Sequence, residues 1–153
     1  MTDSPREDWP REGGCRCGQL RFRVTAPPMF TMACHCTGCQ KMSASAYSLS
    51  MAIPVDGFEV TKGKAVLGGL HATGQEHQHC DWCKSWMFTK LDPAFGFVNV
   101  RPTMLDDPQW FEPFVETMTR EGLPWAKTPA RHGFEGFPEM EAYGPLIEEF
   151  ASL

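Results

Sequence analysis

No stretch of this sequence approaches eighteen consecutive apolar residues, and its opening MTDSPREDWPREGG contains no apolar run at all. Membrane insertion and secretion therefore lose support, and a cytoplasmic location is expected. A basic excess is missing too. The 14 Lys+Arg stand against 19 Asp+Glu for a net charge of −5, with no Lys/Arg run beyond isolated pairs. That argues against a nucleic-acid partner, because phosphate binding needs concentrated positive charge. There is no repeat at a fixed period and no low-complexity segment. With 42% hydrophobic and 22% charged residues in a chain of 153, the composition is that of one folded domain.

What the sequence does have is seven cysteines, with 13 Pro and 14 Gly. Without an exporting signal a disulfide framework is not the natural reading, and an odd number cannot pair completely within one chain. Metal ligation leads instead. The thiols fall into three chelating groups: Cys15-x-Cys17, Cys34-His35-Cys36-x-x-Cys39 and Cys80-x-x-Cys83. Cys-x-Cys on an extended backbone points both sulfurs to one face and sends Arg16 and His35 to the other. Cys-x-x-Cys turns the chain back and brings two thiolates to one ion. Two closed tetrahedral sites would require about eight thiolates.

The simplest partition is four plus three. Cys15, Cys17, Cys80 and Cys83 clamp two distant parts of the chain around a fully protein-ligated, structural zinc. Cys34, Cys36 and Cys39 hold a second zinc at three corners and leave the fourth open, the mark of a catalytic rather than a structural site. Three thiolates on a divalent ion give a net charge of about −1, so water is acidified less than at a three-histidine site. A thiol or thiol adduct suits the vacancy better than hydrolysis does. The alternatives are a middle site closed by His35 or a distant histidine, and buried free thiols. A redox use of Cys36-x-x-Cys39 or Cys80-x-x-Cys83 lacks the βαβ setting that supports it. His77 and His79 read as structural, and Trp82 and Trp86 as shields of the knuckle beside them.

Residues 1–12 read as a polar, flexible leader and 13–153 as one domain, with a core over 13–101 and an extension over 102–153. Within the core, Leu20, Phe22 and Val24 alternate with polar residues, and so do Tyr47, Leu49, Met51 and Ile53. Both have the period of a strand with one wet face. Shorter candidates follow at Phe58–Thr61, Lys64–Leu67, Gln75–His79, Ser85–Lys90 and Phe97–Val100, split by Gly- and Pro-bearing turns, as in an antiparallel all-β domain. In the extension, Asp106-Asp107-Pro108 looks like the start of a short helix, and Leu146–Phe150 like one or two last helical turns. The aromatics Trp110, Phe111, Phe114, Trp125, Phe134, Phe137 and Tyr143 are expected to pack the extension on the sheet.

Three segments carry a family resemblance. They are Gly-Gly-Cys15-Arg-Cys17-Gly-x-x-Arg21-Phe22-x-Val24, then Cys34-His35-Cys36-x-x-Cys39-Gln40-Lys41-x-Ser43-x-Ser45, then Cys80-x-x-Cys83-x-Ser85-Trp86-x-Phe88. Together with Leu105-Asp-Asp-Pro-x-Trp110 and, loosely, Leu123-Pro-Trp125, they resemble the glutathione-dependent formaldehyde-activating enzyme family, also called the centromere protein V domain. The resemblance covers about Gly13 to Arg101. It implies a mainly β, Mss4-like (β-tent) fold of antiparallel zinc-binding sheets with a loop-rich C-terminal extension and short helices. It also implies a structural zinc on Cys15, Cys17, Cys80 and Cys83 and a catalytic zinc on Cys34, Cys36 and Cys39. The chemistry implied is that of a carbon–sulfur lyase joining a glutathione-like thiol to formaldehyde, or the reverse. A non-catalytic zinc-stabilised binding module with two structural sites is the other reading, since a fold does not dictate a function.

Ser43, Ser45 and Lys41 are candidate substrate contacts, with Ser48 and Ser50 as further hydroxyls. Arg21, Arg23, Lys62 and Lys64 are further cations for the substrate's carboxylates. In two places the chain departs from the family pattern. Ala44 and Lys84 stand where the family usually has glycine, and a left-handed backbone at Lys84 would cost on the order of 1 kcal/mol.

Overall fold

The computed structural model describes residues 8–153. Two β-sheets dominate it. The smaller has the order β1–β2–β5 and the larger the order β11–β10–β3–β4–β9–β8–β7–β6. β1 is Arg11–Gly14, β2 Arg21–Val24, β3 Thr31–Cys34, β4 Ser48–Pro54 and β5 Phe58–Lys62. β6 is Ala65–Ala72, β7 Gln75–Cys80, β8 Trp86–Leu91 and β9 Phe97–Val100. β10 (Val115–Thr117) and β11 (His132–Gly133) come from the extension, and two helices, α1 (Thr37–Ser43) and α2 (Met140–Ala151), complete the chain.

The small sheet lies against one face of the large one. Leu20, Phe22 and Val24 meet Met51, Ile53, Val98 and Val100 in the main core, and Cys15 and Cys80 are buried within it. Phe58 bridges the two sheets, its ring 5.6 Å from Phe22 and 4.7 Å from Phe88. The opposite face of the large sheet carries a second core in which Phe30, Ala52 and Val115 are covered by Phe114, Leu146 and Phe150. β4, at the centre, is therefore covered on both sides. Ser48 and Ser50, read as a wet face, are each 4% exposed and face inward instead.

The architecture is mainly β with two short helices, as the sequence implied. The pairing is antiparallel in the core, but β10 runs parallel to both β3 and β11, so the extension contributes strands to the large sheet. Other departures have local causes. Arg11 and Glu12, read as leader, stand in β1 opposite Val24 and Arg23; a strand written Arg-Glu-Gly-Gly has no apolar alternation to reveal it. Gly13 accounts for that spelling: a Cβ there would lie 2.4 Å from the Met104 carbonyl oxygen and 2.5 Å from the Phe22 ring. The rest of the expected leader, residues 1–7, lies outside the described residues.

No helix starts at Asp106. The Asp107 carboxylate instead accepts from Gln109 N at 3.2 Å in an Asx-type turn, and Asp106 pairs with Arg21. Helix α2, by contrast, spans twelve residues and contains Pro145. The proline removes one N–H early in the helix, while Leu146 and Phe150 further on are buried in the second core. Trp125 and Phe137, expected to pack, are 72% and 61% exposed.

Candidate functional site

The first cysteine pair is set by a tight turn after β1. Cys15 N donates to the Leu20 carbonyl at 3.0 Å and Leu20 N donates to Cys15 Sγ at 3.3 Å, with Gly18 left-handed at φ 79°. The second pair sits in the β7–β8 turn. Cys80 N donates to the Ser85 carbonyl at 3.0 Å, and Lys84 N donates back to the Cys80 carbonyl at 3.1 Å. Closing that turn puts Lys84 at φ 60°, in the left-handed region.

The two turns bring four sulfurs together, all within 4.8 Å of one another. Cys15 Sγ lies 3.4 Å from Cys17 Sγ, and Cys17 Sγ 3.8 Å from Cys80 Sγ. These separations are too long for a disulfide and match the edge of about 3.8 Å that four sulfurs at about 2.3 Å from a central ion would show. The donor set therefore fits a closed metal site. Burial opposes ionisation of Cys83, but hydrogen bonds with Ser85 more than offset it and hold that thiol down at about 5.

The middle trio is assembled from a strand end and a helix start. Cys34 ends β3, Cys36 caps α1 with an extended backbone (φ −60°, ψ 149°), and Cys39 lies in the helix, its N–H donating to Cys36 Sγ at 3.2 Å. The helix is tied to the extension. Glu121 accepts from the N–H and the hydroxyl of Thr37 at 3.1 Å each, and Gln40 Nε2 donates to the carbonyls of His35 and Glu121 at 2.8 and 3.0 Å. The three sulfurs again lie within 4.8 Å of one another, and among the described residues no His, Asp or Glu joins them.

His35 is turned away from the trio. It is 2% exposed, its Nε2 lies 3.0 Å from Glu116 Oε2, and Thr128 donates to the same carboxylate oxygen at 2.8 Å. Cys34 is the ionised member of the trio, pushed down to about 5 chiefly by a hydrogen bond from Cys39, with Thr117 assisting. Cys39 is pushed up as the donor of that bond and by burial, and burial also raises Cys36.

One cation stands behind the trio that the sequence reading passed over. Arg101, 7% exposed, donates to the Leu49 carbonyl at 3.0 Å, Ser50 Oγ at 2.9 Å and Thr89 Oγ1 at 3.1 Å, and its guanidinium lies 3.7 Å from the centre of the Trp86 ring. Burial pushes it down to about 10, with the charges of Cys39 and Cys34 acting to retain its proton. Among the described residues no carboxylate pairs with it. The signal was available: Arg101 continues the period of Phe97 and Asn99 at the end of a strand.

The other candidates sort clearly. Lys41 and Ser45 line a surface groove of about 560 Å³ with Gln40, Leu123 and Trp125. Ser43 Oγ instead donates within its own helix end, to the Cys39 carbonyl at 2.7 Å and the Tyr47 carbonyl at 3.3 Å. Arg21 is engaged by Asp106 through two bonds of 2.8 and 2.5 Å, and Arg23 by Glu12 at 2.6 Å, so neither stands free for substrate. Trp82, expected to shield the cysteines beside it, is 73% exposed, while Trp86 turns to Arg101. His77 hydrogen-bonds Thr89 at 2.9 Å and serves the packing, as read from the sequence.

Comparison with known proteins gives one family model matching residues 10–121, described as glutathione-dependent formaldehyde-activating enzyme. A Halomonas elongata protein, provisionally named a glutathione-dependent formaldehyde-activating enzyme, is 33% identical over 141 residues, which cover 84% of this chain and 88% of that protein. Among solved structures, a Rhodobacter sphaeroides protein superposes with a TM-score of 0.52 at 16% identity, covering 62% of this chain and 87% of its own. That likeness bears on the fold alone. No helix among the described residues is long and apolar enough to cross a membrane.

Proposed function

The chain belongs to the glutathione-dependent formaldehyde-activating enzyme family, and from that premise we propose that it is a zinc-dependent carbon–sulfur lyase forming or cleaving an adduct of the S-hydroxymethylglutathione kind. In this reading Cys15, Cys17, Cys80 and Cys83 hold a structural zinc, and Cys34, Cys36 and Cys39 hold a catalytic one. The observation that carries it is the three-sulfur cluster with no fourth protein ligand among the described residues, His35 being engaged by Glu116. A zinc there supplies a Lewis-acidic corner that, with about −1 net charge, favours a soft sulfur ligand over generating hydroxide.

The chain's own residues do the rest. Cys34 is already poised as a thiolate. The buried Arg101 guanidinium supplies positive charge against the trio's negative charge, which also stabilises charge developing on the adduct as the C–S bond forms or breaks. Lys41 and Ser45, in the groove beside α1, offer a cation and a hydroxyl to the carboxylate end of a glutathione-like thiol. In the forming direction the thiol sulfur adds to the carbonyl carbon, and its proton ends on the carbonyl oxygen.

Exchange spectroscopy by NMR on formaldehyde and glutathione with the zinc-loaded protein tests this. Interconversion with the adduct is expected to accelerate and to lose that acceleration in Cys36→Ser. No acceleration would refute the reaction and leave a zinc-stabilised binding module.

A further inference from the structure

The sheet face that carries Cys34 also borders a second space. Beneath α2, on the face that carries Cys34, lies a cavity of about 490 Å³ whose floor includes Met32, Asn99 and Thr117. Thr117 is the register partner of Cys34 across the parallel β3–β10 pair, and Met32 precedes Cys34 by two residues on the same strand. Side chains two apart on a strand, or directly paired across strands, share one face. Cys34 and the cavity floor thus lie on one sheet face, and Thr117 adjoins both.

Its walls are apolar, with Phe97, Tyr143, Leu146 and Ile147 prominent, and no lining residue carries a charge. The side-chain oxygen of Asn99 is buried there without a hydrogen-bond partner, which is costly unless a ligand supplies a donor. A glutathionyl group, with two carboxylates and an ammonium, is excluded by such walls; an uncharged hydrocarbon group is not. The wall from Phe137 to Ile147 lies beyond residue 121, where the family match ends, so it is a feature of this chain rather than of the matched family region.

We propose that this cavity seats the apolar substituent of the carbonyl substrate, so that the aldehyde handled at the trio is a longer alkyl or aryl aldehyde rather than formaldehyde alone. The inference rests on the lyase reading above and extends it. The thiol occupies the polar groove of Lys41, its sulfur forms the C–S bond to the aldehyde carbon, and the thiol proton passes to the aldehyde oxygen. A thiohemiacetal results, whose hydrocarbon tail lies against Met32 and Ile147.

Two measurements on the zinc-loaded full chain test it. In the first, 1-hexanol is titrated while the methyl resonances of Met32 and Ile147 are followed. Saturable shifts are expected, and Ile147→Trp, which fills the cavity, should weaken them at least tenfold. Met140→Trp, at a rim position 69% exposed, gives a second variant that narrows the mouth without disturbing the packing. In the second, exchange rates of glutathione with hexanal and with formaldehyde are compared, and the larger acceleration is expected for hexanal. Acceleration for formaldehyde alone, or no saturable hexanol shift, overturns this inference and leaves the lyase reading standing. Hexanol binding blocked by Ile147→Trp with no acceleration for either aldehyde supports the apolar site and overturns the reaction.

Discussion

Replacing Cys80 by serine is expected to unfold the chain, whereas Cys36→Ser is expected to leave it folded with one metal ion in place of two. Cys80 is 1% exposed and shares the main core with Cys15, Met51 and Val100. Through Cys17 and Cys80 the four-sulfur cluster ties positions 63 residues apart. The middle trio spans only the segment from Cys34 to Cys39, five positions along the chain. Loop-closure entropy scales as (3/2)RT ln n, so the longer link stabilises the fold by about 2 kcal/mol more than the shorter one.

With the proposed zinc in place, the larger contribution would be metal binding itself, about 10–16 kcal/mol for a structural zinc at neutral pH, against a whole-domain stability of about 5–15 kcal/mol. A site that joins β1–β2 to β7–β8 inside the core cannot lose that and remain folded. The trio ties β3 only to its own adjacent helix, and Glu121 and Gln40 hold that helix independently. Far-UV circular dichroism with metal quantitation per chain reads both outcomes. Equal unfolding in Cys36→Ser and Cys80→Ser would refute the division of labour.

Ala44→Gly and Lys84→Gly should each raise stability by about 1 kcal/mol, because both residues adopt left-handed backbone at φ 50° and 60°. The Lys84–Asp81 pair lost in the second change, 3.4 Å apart with both side chains 64% exposed, contributes little; urea melts that show no gain would contradict the strain argument. Arg101→Met should weaken metal binding at the trio on the order of tenfold without altering the four-sulfur site, as read by chelator competition; equal loss at both sites would contradict its role as counter-charge. His77 is held below the usual histidine range by burial first and by the Arg101 charge second. The unfolded chain therefore takes up that proton more readily, and stability falls as pH drops through about 6.5. In His77→Gln the fall in melting temperature from pH 7.5 to 5.5 should be shallower, and an unchanged slope would refute the assignment.

The cysteine spacing sorted the thiols into three chelating groups, because chelation by Cys-x-Cys and Cys-x-x-Cys is a property of short backbone segments; four plus three was the simplest partition of them, and the fold brings the first and third groups together. Alternation likewise disclosed β2 and β4, since a strand with a buried face writes its period into the chain. Strands whose partners lie far away in sequence left little such trace. β10 is three residues long, and β1 carries two glycines because Met104 and Phe22 crowd it. Helix α2 holds a proline that local rules read as a stop, and its packing under the sheet overrides that rule.

What only the tertiary structure decided is the company the trio keeps. Arg101 follows β9, Thr117 and Glu116 come from the extension, and α2 supplies the cover of the apolar cavity, none of these within sixty residues of Cys34. Sequence spacing carries the candidate ligands because each group would chelate locally. The charge and the hydrocarbon around them are set by how distant strands stack, which local order does not encode.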